Sequence, residues 1–237
     1  MKTWQDDQLQ GLFQAHSEQG LFDELVKLVR GEGFDLCSYG IRPPFPITQP
    51  RIQVYDNFPD AWHRQYRRQE YVRIDPTVRH GLRSLLPLVW TDDIFTDARD
   101  FWEDARGQGL RYGWAQPCRD PSGVAGMLTV ARSHDPLSDA ELKLKVPRLI
   151  WMTQVAHVAM TKLVMKTLLP EEALRFSDRE VAVMRWTAEG KTSGEIADIL
   201  GIAERTVNFH IQNVTAKLNA SNKTAAAIRM AVMGLLN

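Results

Sequence analysis

The sequence predicts an α+β chain in two parts: an N-terminal α/β/α sandwich and a C-terminal all-α four-helix domain. Three observations predict it. Strand-like runs alternate with helical patterns through most of the chain; residues 176–237 carry helical signals only, punctuated by capping residues; and between the two lies LPEEALR, a proline and two acids with no apolar period. The expected division is 1–167 for the first domain, 168–175 for a linker and 176–237 for the second.

The first domain reads element by element. Trp4–Ala15 and Gln19–Arg30 have the 3.6-residue apolar spacing of amphipathic helices. FDLCSYGI (34–41), RIQVY (51–55), LVW (88–90), YGWAQPC (112–118) and GVAGMLTVA (123–131) read as strands. Helical patterns at 59–69, 76–84, 98–107 and 138–166 separate or follow them, the last interrupted by Pro147. Interleaving of this kind layers helices on both faces of one sheet. The pattern alone leaves strand direction open, and an antiparallel sheet is the expectation carried forward. Residues 42–50, RPPFPITQP, hold four prolines and must be an extended loop.

The second domain is marked by caps. Ser177 with Glu180, and Thr192 with Glu195, have the spacing in which a hydroxyl caps the helix and a glutamate reaches back. Ile196, Ile199 and Leu200 form the apolar face of the helix after Thr192, and Gly201 ends it. The next helix starts near Glu204, with Val207, Ile211, Val214 and Leu218 on one stripe and Arg205, Asn208 and Gln212 on the other side. Arginine pairs with guanine edges, and asparagine or glutamine with adenine edges. Two capped helices joined by a glycine turn make a helix-turn-helix, which docks its second helix in the DNA major groove.

Charge limits how such a module holds DNA. From residue 202 onward Arg205, Lys217, Lys223 and Arg229 face only Glu204. So small an excess gives few phosphate contacts, and a dimer on a two-fold site would double them. Ala225, Ile228, Val232 and Leu235 share one face of the last helix, suited either to a dimer seam or to cover of the module's own core.

Composition excludes several classes. With 29 basic and 29 acidic residues, 44% hydrophobic and 24% charged, the chain has the make-up of an ordinary soluble protein. No apolar run is long enough to span a bilayer, and MKTWQDDQLQ lacks a secretion signal's apolar core, so a cytoplasmic protein is expected. Cys37 and Cys118 have no metal or redox spacing, and the histidines (16, 63, 80, 134, 157, 210) have no zinc spacing. His63 is expected on the solvent side of its helix. With no Walker loop or dinucleotide fingerprint either, no catalysis, metal or cofactor is expected.

Aromatic placement is the remaining clue. Trp62, Trp90, Trp102, Trp114 and Trp151 lie between residues 60 and 151, and Trp62 and Tyr66 stand at i, i+4 on one helix face. They suit a pocket of apolar walls with a few polar groups, or plain core packing. Asp75-Pro76 is a helix N-cap followed by proline at the first position; its carboxylate could also accept a ligand N–H. The residues alone leave both pairs of readings open.

RWTAEGKTSGEIADILGIAERTVNFHIQNVTAKLNASNK resembles the output domain of LuxR-type transcription regulators. The resemblance makes the helix of Arg205, Asn208 and Gln212 the recognition helix, with Thr192, Thr206, His210, Lys217 and Lys223 as further DNA contacts, and Glu195 as the scaffold-helix glutamate. Ala203 departs from the usual Ser or Thr cap, a loss of about 1 kcal/mol. Trp62, Tyr66, Asp75 and Trp90, with Gly109-Leu110-Arg111-Tyr112-Gly113, match the autoinducer-binding domain of the same family, and the resemblance spans essentially the whole chain, nearest to receptors of the QscR and CepR kind.

It implies that the ligand is an N-acyl-homoserine lactone of medium to long acyl chain. Trp62 would donate to the lactone carbonyl, Asp75 accept from the amide N–H and Tyr66 donate to the acyl carbonyl. Ser38 and Thr129 would add hydroxyls. Trp90, Phe101, Trp102, Ala105 and Leu110 would wall the lactone, and Val54, Val78, Leu82 and Met127 contact the tail. It further implies a homodimer on double-stranded DNA with an inverted repeat, and RNA polymerase as a further partner. The alternative within the family is a response to another small molecule, or DNA binding without ligand.

Overall fold

The computed structural model describes residues 11–168 and 175–236. These form two compact units, one from residues up to Arg42, Ile52–Asp120 and Ala125–Leu163, the other from Pro43–Arg51, Pro121–Val124 and Val164 onward. Most of the expected helix at Trp4–Ala15 and most of the expected linker lie outside the described residues; of the helix, residues 11–13 are described and are helical.

The first unit is built on a five-stranded sheet in the order β2-β1-β5-β4-β3, every pair antiparallel. Its strands are β1 (Leu36–Arg42), β2 (Gln53–Asp56), β3 (Leu88–Val89), β4 (Tyr112–Arg119) and β5 (Ala125–Arg132). Because side chains alternate between faces, register assigns each residue a side. Ser38 stands opposite Thr129, and Thr129 opposite Ala115, so these three share one face; Tyr39, Leu128 and Gln116 share the other.

Helix α1 (Glu18–Gly31) begins where Ser17 accepts from the Gly20 amide at 3.1 Å, and buries Leu21, Phe22, Leu25, Val26 and Val29. It lies on the Tyr39 face, with Phe22 packed on Tyr55, the register partner of Tyr39. On that face too lies the long helix α5 (Asp139–Leu168), whose His157 Nδ1 is 2.7 Å from the Tyr39 hydroxyl. The Thr129 face is covered by α2 (Asp60–Arg68), α3 (Pro76–Gly81), α4 (Arg99–Gly107) and the 3-10 turns Tyr71–Arg73 and Asp92–Ala98. A Cβ on Gly81 would lie 3.1 Å from Met127 Sδ, and one on Gly113 would strike the Trp90 indole.

Helix α5 departs from expectation, running unbroken through Pro147. Proline forfeits one backbone bond and costs about 3 kcal/mol in a helix interior. The fully buried Leu149, Met152, Ala156 and Met160 supply packing that outweighs it. The start of α5 is also tied to the end of β5: Arg132 makes two 2.7 Å bonds to Glu141, which Lys145 meets at 2.6 Å. Those two cations hold the Glu141 carboxyl down at about 2.

The second unit holds four helices: α6 (Asp178–Ala188), α7 (Ser193–Leu200), α8 (Glu204–Lys217) and α9 (Lys223–Val232). Both capping boxes form, Ser177 with Glu180 and Thr192 with Glu195. Gly201 takes φ 63°, the left-handed turn between α7 and α8 that glycine adopts without a Cβ penalty. Ala203 makes no side-chain cap. Val183, Met184, Ile196, Val207, Ile211, Val214, Leu218, Ala226 and Met230 form the core. Ile199, expected on the buried face of α7, is instead exposed; Ala197 takes the inner position beside Ile196. Ala197 and Ile199 lie two residues apart, on nearly opposite sides of the helix.

Candidate functional site

In the first unit the site grows from the i, i+4 pair on α2. Trp62 is buried, and Tyr66 meets it edge-on with ring centroids 5.5 Å apart. Both contact Phe101 of α4, at 5.6 and 6.1 Å. Trp90, just after β3, stands edge-on to Trp102 at 6.0 Å, and Trp102 stacks on Phe95 at 4.1 Å. Ala105 and Leu110 close the same buried cluster. Five elements thus converge on one apolar mass against the Thr129 face.

Asp75 is the polar centre of this mass. It is 7% exposed, and three donors hold it. The Thr77 amide and hydroxyl donate to Oδ1 at 2.8 and 2.7 Å, which is the N-cap of α3. The Tyr66 hydroxyl donates to Oδ2 at 3.0 Å. Desolvation by burial raises the Asp75 pKa, although all these bonds favour the carboxylate; burial and the neighbouring carboxylate likewise push the Tyr66 phenol up. The capping and ligand-acceptor readings of Asp75 are therefore compatible: one oxygen caps α3 and the other faces Tyr66. The indole N–H of Trp90 is buried with no hydrogen-bond partner among the described residues.

The predicted residues fall in two groups. Trp62, Tyr66, Asp75, Trp90, Phe101, Trp102, Ala105 and Leu110 come together, with Ser38 and Thr129 as cross-strand neighbours on the covered sheet face. Of the tail candidates, Val78 and Met127 are half-buried, whereas Val54 is 56% and Leu82 61% exposed, at the outer edge of β2 and just beyond α3. His63 corrects the solvent-side expectation: it is only partly exposed, its Nε2 2.6 Å from Asp56 Oδ1. Sequence reasoning missed Tyr71 and Phe95, which complete the aromatic cluster, and Thr77, which fixes the carboxylate. Only Thr77, two residues after a predicted N-cap, carried a local signal.

In the second unit Arg205, Asn208 and Gln212 are exposed on α8, opposite its buried stripe. Asn208 is already engaged: the Ser193 hydroxyl donates to its Oδ1 at 2.8 Å. Its Oδ1 keeps a second lone pair and its amide N–H groups remain to donate, so it presents both halves of the paired adenine contact. Thr192 is exposed but serves the α7 cap, and Thr206 and His210 are half-buried. Lys217 donates to Glu180 at 2.7 and 2.9 Å and to the Arg175 carbonyl at 3.0 Å, and Arg229 donates to the Leu218 and Asn219 carbonyls. Burial opposes the ionisation of Glu180, but the Lys217 ammonium and the Ser177 amide outweigh it and lower its pKa. Two of the four cations after residue 202 are thus bound internally, while Arg205 and Lys223 are exposed.

Residues 17–160 match the autoinducer binding domain model, and residues 174–231 the model of bacterial regulatory proteins of the luxR family. The chain belongs to the LuxR family of transcription regulators. The transcriptional activator AnoR of Acinetobacter nosocomialis is 44% identical over 238 residues, covering 100% of both chains. The quorum-sensing regulator RhlR of Pseudomonas aeruginosa is 39% identical, covering 98% of this chain and 96% of its own. The crystal structure of Escherichia coli SdiA superposes with a TM-score of 0.83 at 35% identity, over 99% of this chain and 98% of that one. A second SdiA structure, in complex with octanoyl-rac-glycerol, gives a TM-score of 0.82 at 34% identity, over 100% and 99%.

This LuxR-family chain therefore combines an autoinducer-binding domain, made for a small-molecule ligand, with a helix-turn-helix DNA-binding domain. Among the described residues no helix is long and apolar enough to cross a membrane, and no group of histidine, cysteine and carboxylate side chains could hold a metal.

Proposed function

We propose that the chain is a cytoplasmic regulator that binds an N-acyl-homoserine lactone in its first domain and, as a homodimer, an inverted-repeat promoter site through α8. The observation that carries the ligand reading is Asp75: a buried carboxylate, fixed by Thr77 and Tyr66, beside apolar walls. An amide N–H is the complement of its second oxygen. The unpartnered Trp90 N–H supports the reading, since a buried donor left unmade costs roughly 1–3 kcal/mol. Trp62, Ser38 and Thr129 supply further donors around the same volume, and Val78 and Met127 begin a tail path toward Val54 and Leu82. The half-exposed Ile228 and Val232 on α9 support a dimer seam.

Ligand acts by mass action. It binds the ordered domain and not the unfolded one, so it raises the population of the ordered form. Two ordered copies then set two α8 helices about one DNA turn apart, and RNA polymerase would be met at the promoter.

A second reading, an acylglycerol ligand, is favoured by the SdiA complex with octanoyl-rac-glycerol. Thermal melting against acyl-homoserine lactones of increasing length, with octanoyl glycerol alongside, tests both. A rise of about 5–11 °C with one lactone class supports the first reading. A rise with the glycerol ester alone supports the second, and no rise with any compound contradicts both.

A further inference from the structure

The face of α8 that carries Arg205, Asn208 and Gln212 has a further member that is not polar. Phe209 is 57% exposed. Arg205, Phe209, Gln212 and Ala216 stand at i, i+4, i+7 and i+11, a single stripe of the helix with Asn208 beside it. The core of the unit is served by Val207, Ile211, Val214 and Leu218 on the opposite side, and Phe209 is not part of it. Its ring stands edge-on to His210, centroids 5.8 Å apart at 63°, which limits the directions it can take.

An isolated exposed apolar residue needs no explanation on most surfaces. This one lies at the centre of the stripe that a helix-turn-helix inserts into the major groove. The floor of that groove is lined by hydrogen-bond donors and acceptors and by one kind of apolar group, the C5-methyl of thymine. A phenyl ring set against a purine edge desolvates a polar atom and returns no bond, and cytosine offers only a C5–H where thymine has the methyl. The neighbouring Asn208 is held by Ser193, which leaves its amide hydrogens for an acceptor; thymine O4 is such an acceptor and lies next to the methyl. We infer that Phe209 reads the 5-methyl group of a thymine in each half-site. The inference rests on α8 being the DNA-reading helix.

The test begins with duplexes enriched by the full-length chain from a randomised inverted-repeat library, with and without the lactone series. Each thymine of the enriched site is then replaced by deoxyuridine, which removes the methyl and nothing else, and affinity is read by fluorescence anisotropy. One thymine per half-site should lose about fourfold on this replacement, the value of one buried methyl. Phe209→Ala should bind more weakly and make no distinction between thymine and deoxyuridine there, with an unchanged melting temperature because the side chain is exposed. Phe209→Leu should keep part of the distinction. An enriched site that tolerates deoxyuridine everywhere, or Phe209→Ala retaining the full penalty, overturns the inference while sparing the DNA reading. Failure to enrich any duplex overturns both.

Discussion

Replacing Asp75 by asparagine keeps its shape and removes its charge, and the two consequences have opposite signs. In the free protein, burial raises the Asp75 pKa above its ordinary 3.8. A carboxyl whose folded pKa is raised favours the protonated form, so it costs stability as pH climbs from 3.8 through the folded value, and the cost is complete above that. Asparagine does not titrate and can still accept from Thr77, so the free variant at neutral pH should be no less stable than the parent. With an acyl-homoserine lactone the effect reverses. The ligand amide loses a charged acceptor and is left buried against an NH2 group, a combined loss of about 3 kcal/mol, or roughly a hundredfold in Kd. At ligand near 100 times the parental Kd, the parent gains about 2.7 kcal/mol and the variant about 0.4. At roughly 2–4 °C per kcal/mol, the melting shifts are about 5–11 °C and about 1–2 °C. Thermal melting with and without ligand reads both quantities. A variant that keeps the full ligand shift would refute the role given to Asp75; one that melts well below the parent without ligand would refute the buried-charge argument.

Three other perturbations test separate parts of the account. Glu141, held at about 2 by Arg132 and Lys145 against an ordinary 4.5, is a depressed carboxylate. Its stabilisation is present above pH 4.5 and is lost as pH falls toward 2; with its side chain one-fifth exposed (21%), solvent screening leaves about 1–2 kcal/mol. Glu141→Gln should flatten that part of the melting-versus-pH curve, and an unchanged acid slope contradicts the assignment. Lys217→Met should lower the melting temperature of the second unit by leaving the buried Glu180 unpaired, at a cost of about 2–3 kcal/mol; unchanged melting with a DNA salt slope reduced by about one would return Lys217 to the phosphate contacts. Gly113→Ala would set a Cβ 2.3–2.7 Å from Trp90 ring atoms, costing about 1–3 kcal/mol by overpacking and shifting the indole. Unaltered melting and an unaltered ligand response would show that Trp90 has more room than its packing indicates.

Local chemistry made much of this molecule legible. Ser177, Thr192 and Gly201 announced their helix ends because caps and turns are decided within a few residues, and the strand runs declared themselves by β-branched and aromatic content. The departures arise where distant neighbours decide. Pro147 lies inside a helix because residues on β1 and β5 are there to be covered. Ile199 is exposed while Ala197, two residues earlier, is buried in the core of the second unit. Lys217, expected as a DNA contact, is paired in the fold with Glu180, 37 residues earlier, a partner that no local pattern announces. Within the candidate site, Trp62, Tyr66 and Asp75 were marked by spacing and by a proline, whereas Tyr71 and Phe95 join the cluster only through the fold. Val54 and Leu82 carry the right chemistry for a tail contact, but their exposure depends on the width of β2 and the length of α3, neither of which has a sequence signal.

The central claim is that a lactone in the first domain governs DNA binding by the second. Fluorescence anisotropy of the full-length chain on an enriched inverted-repeat duplex, titrated with and without the lactone that most raises its melting temperature, tests it directly. The account predicts tight binding with the lactone, a large loss without it, and loss of the difference in Asp75→Asn. Equal affinity with and without lactone, from protein that is folded in both conditions, would contradict it.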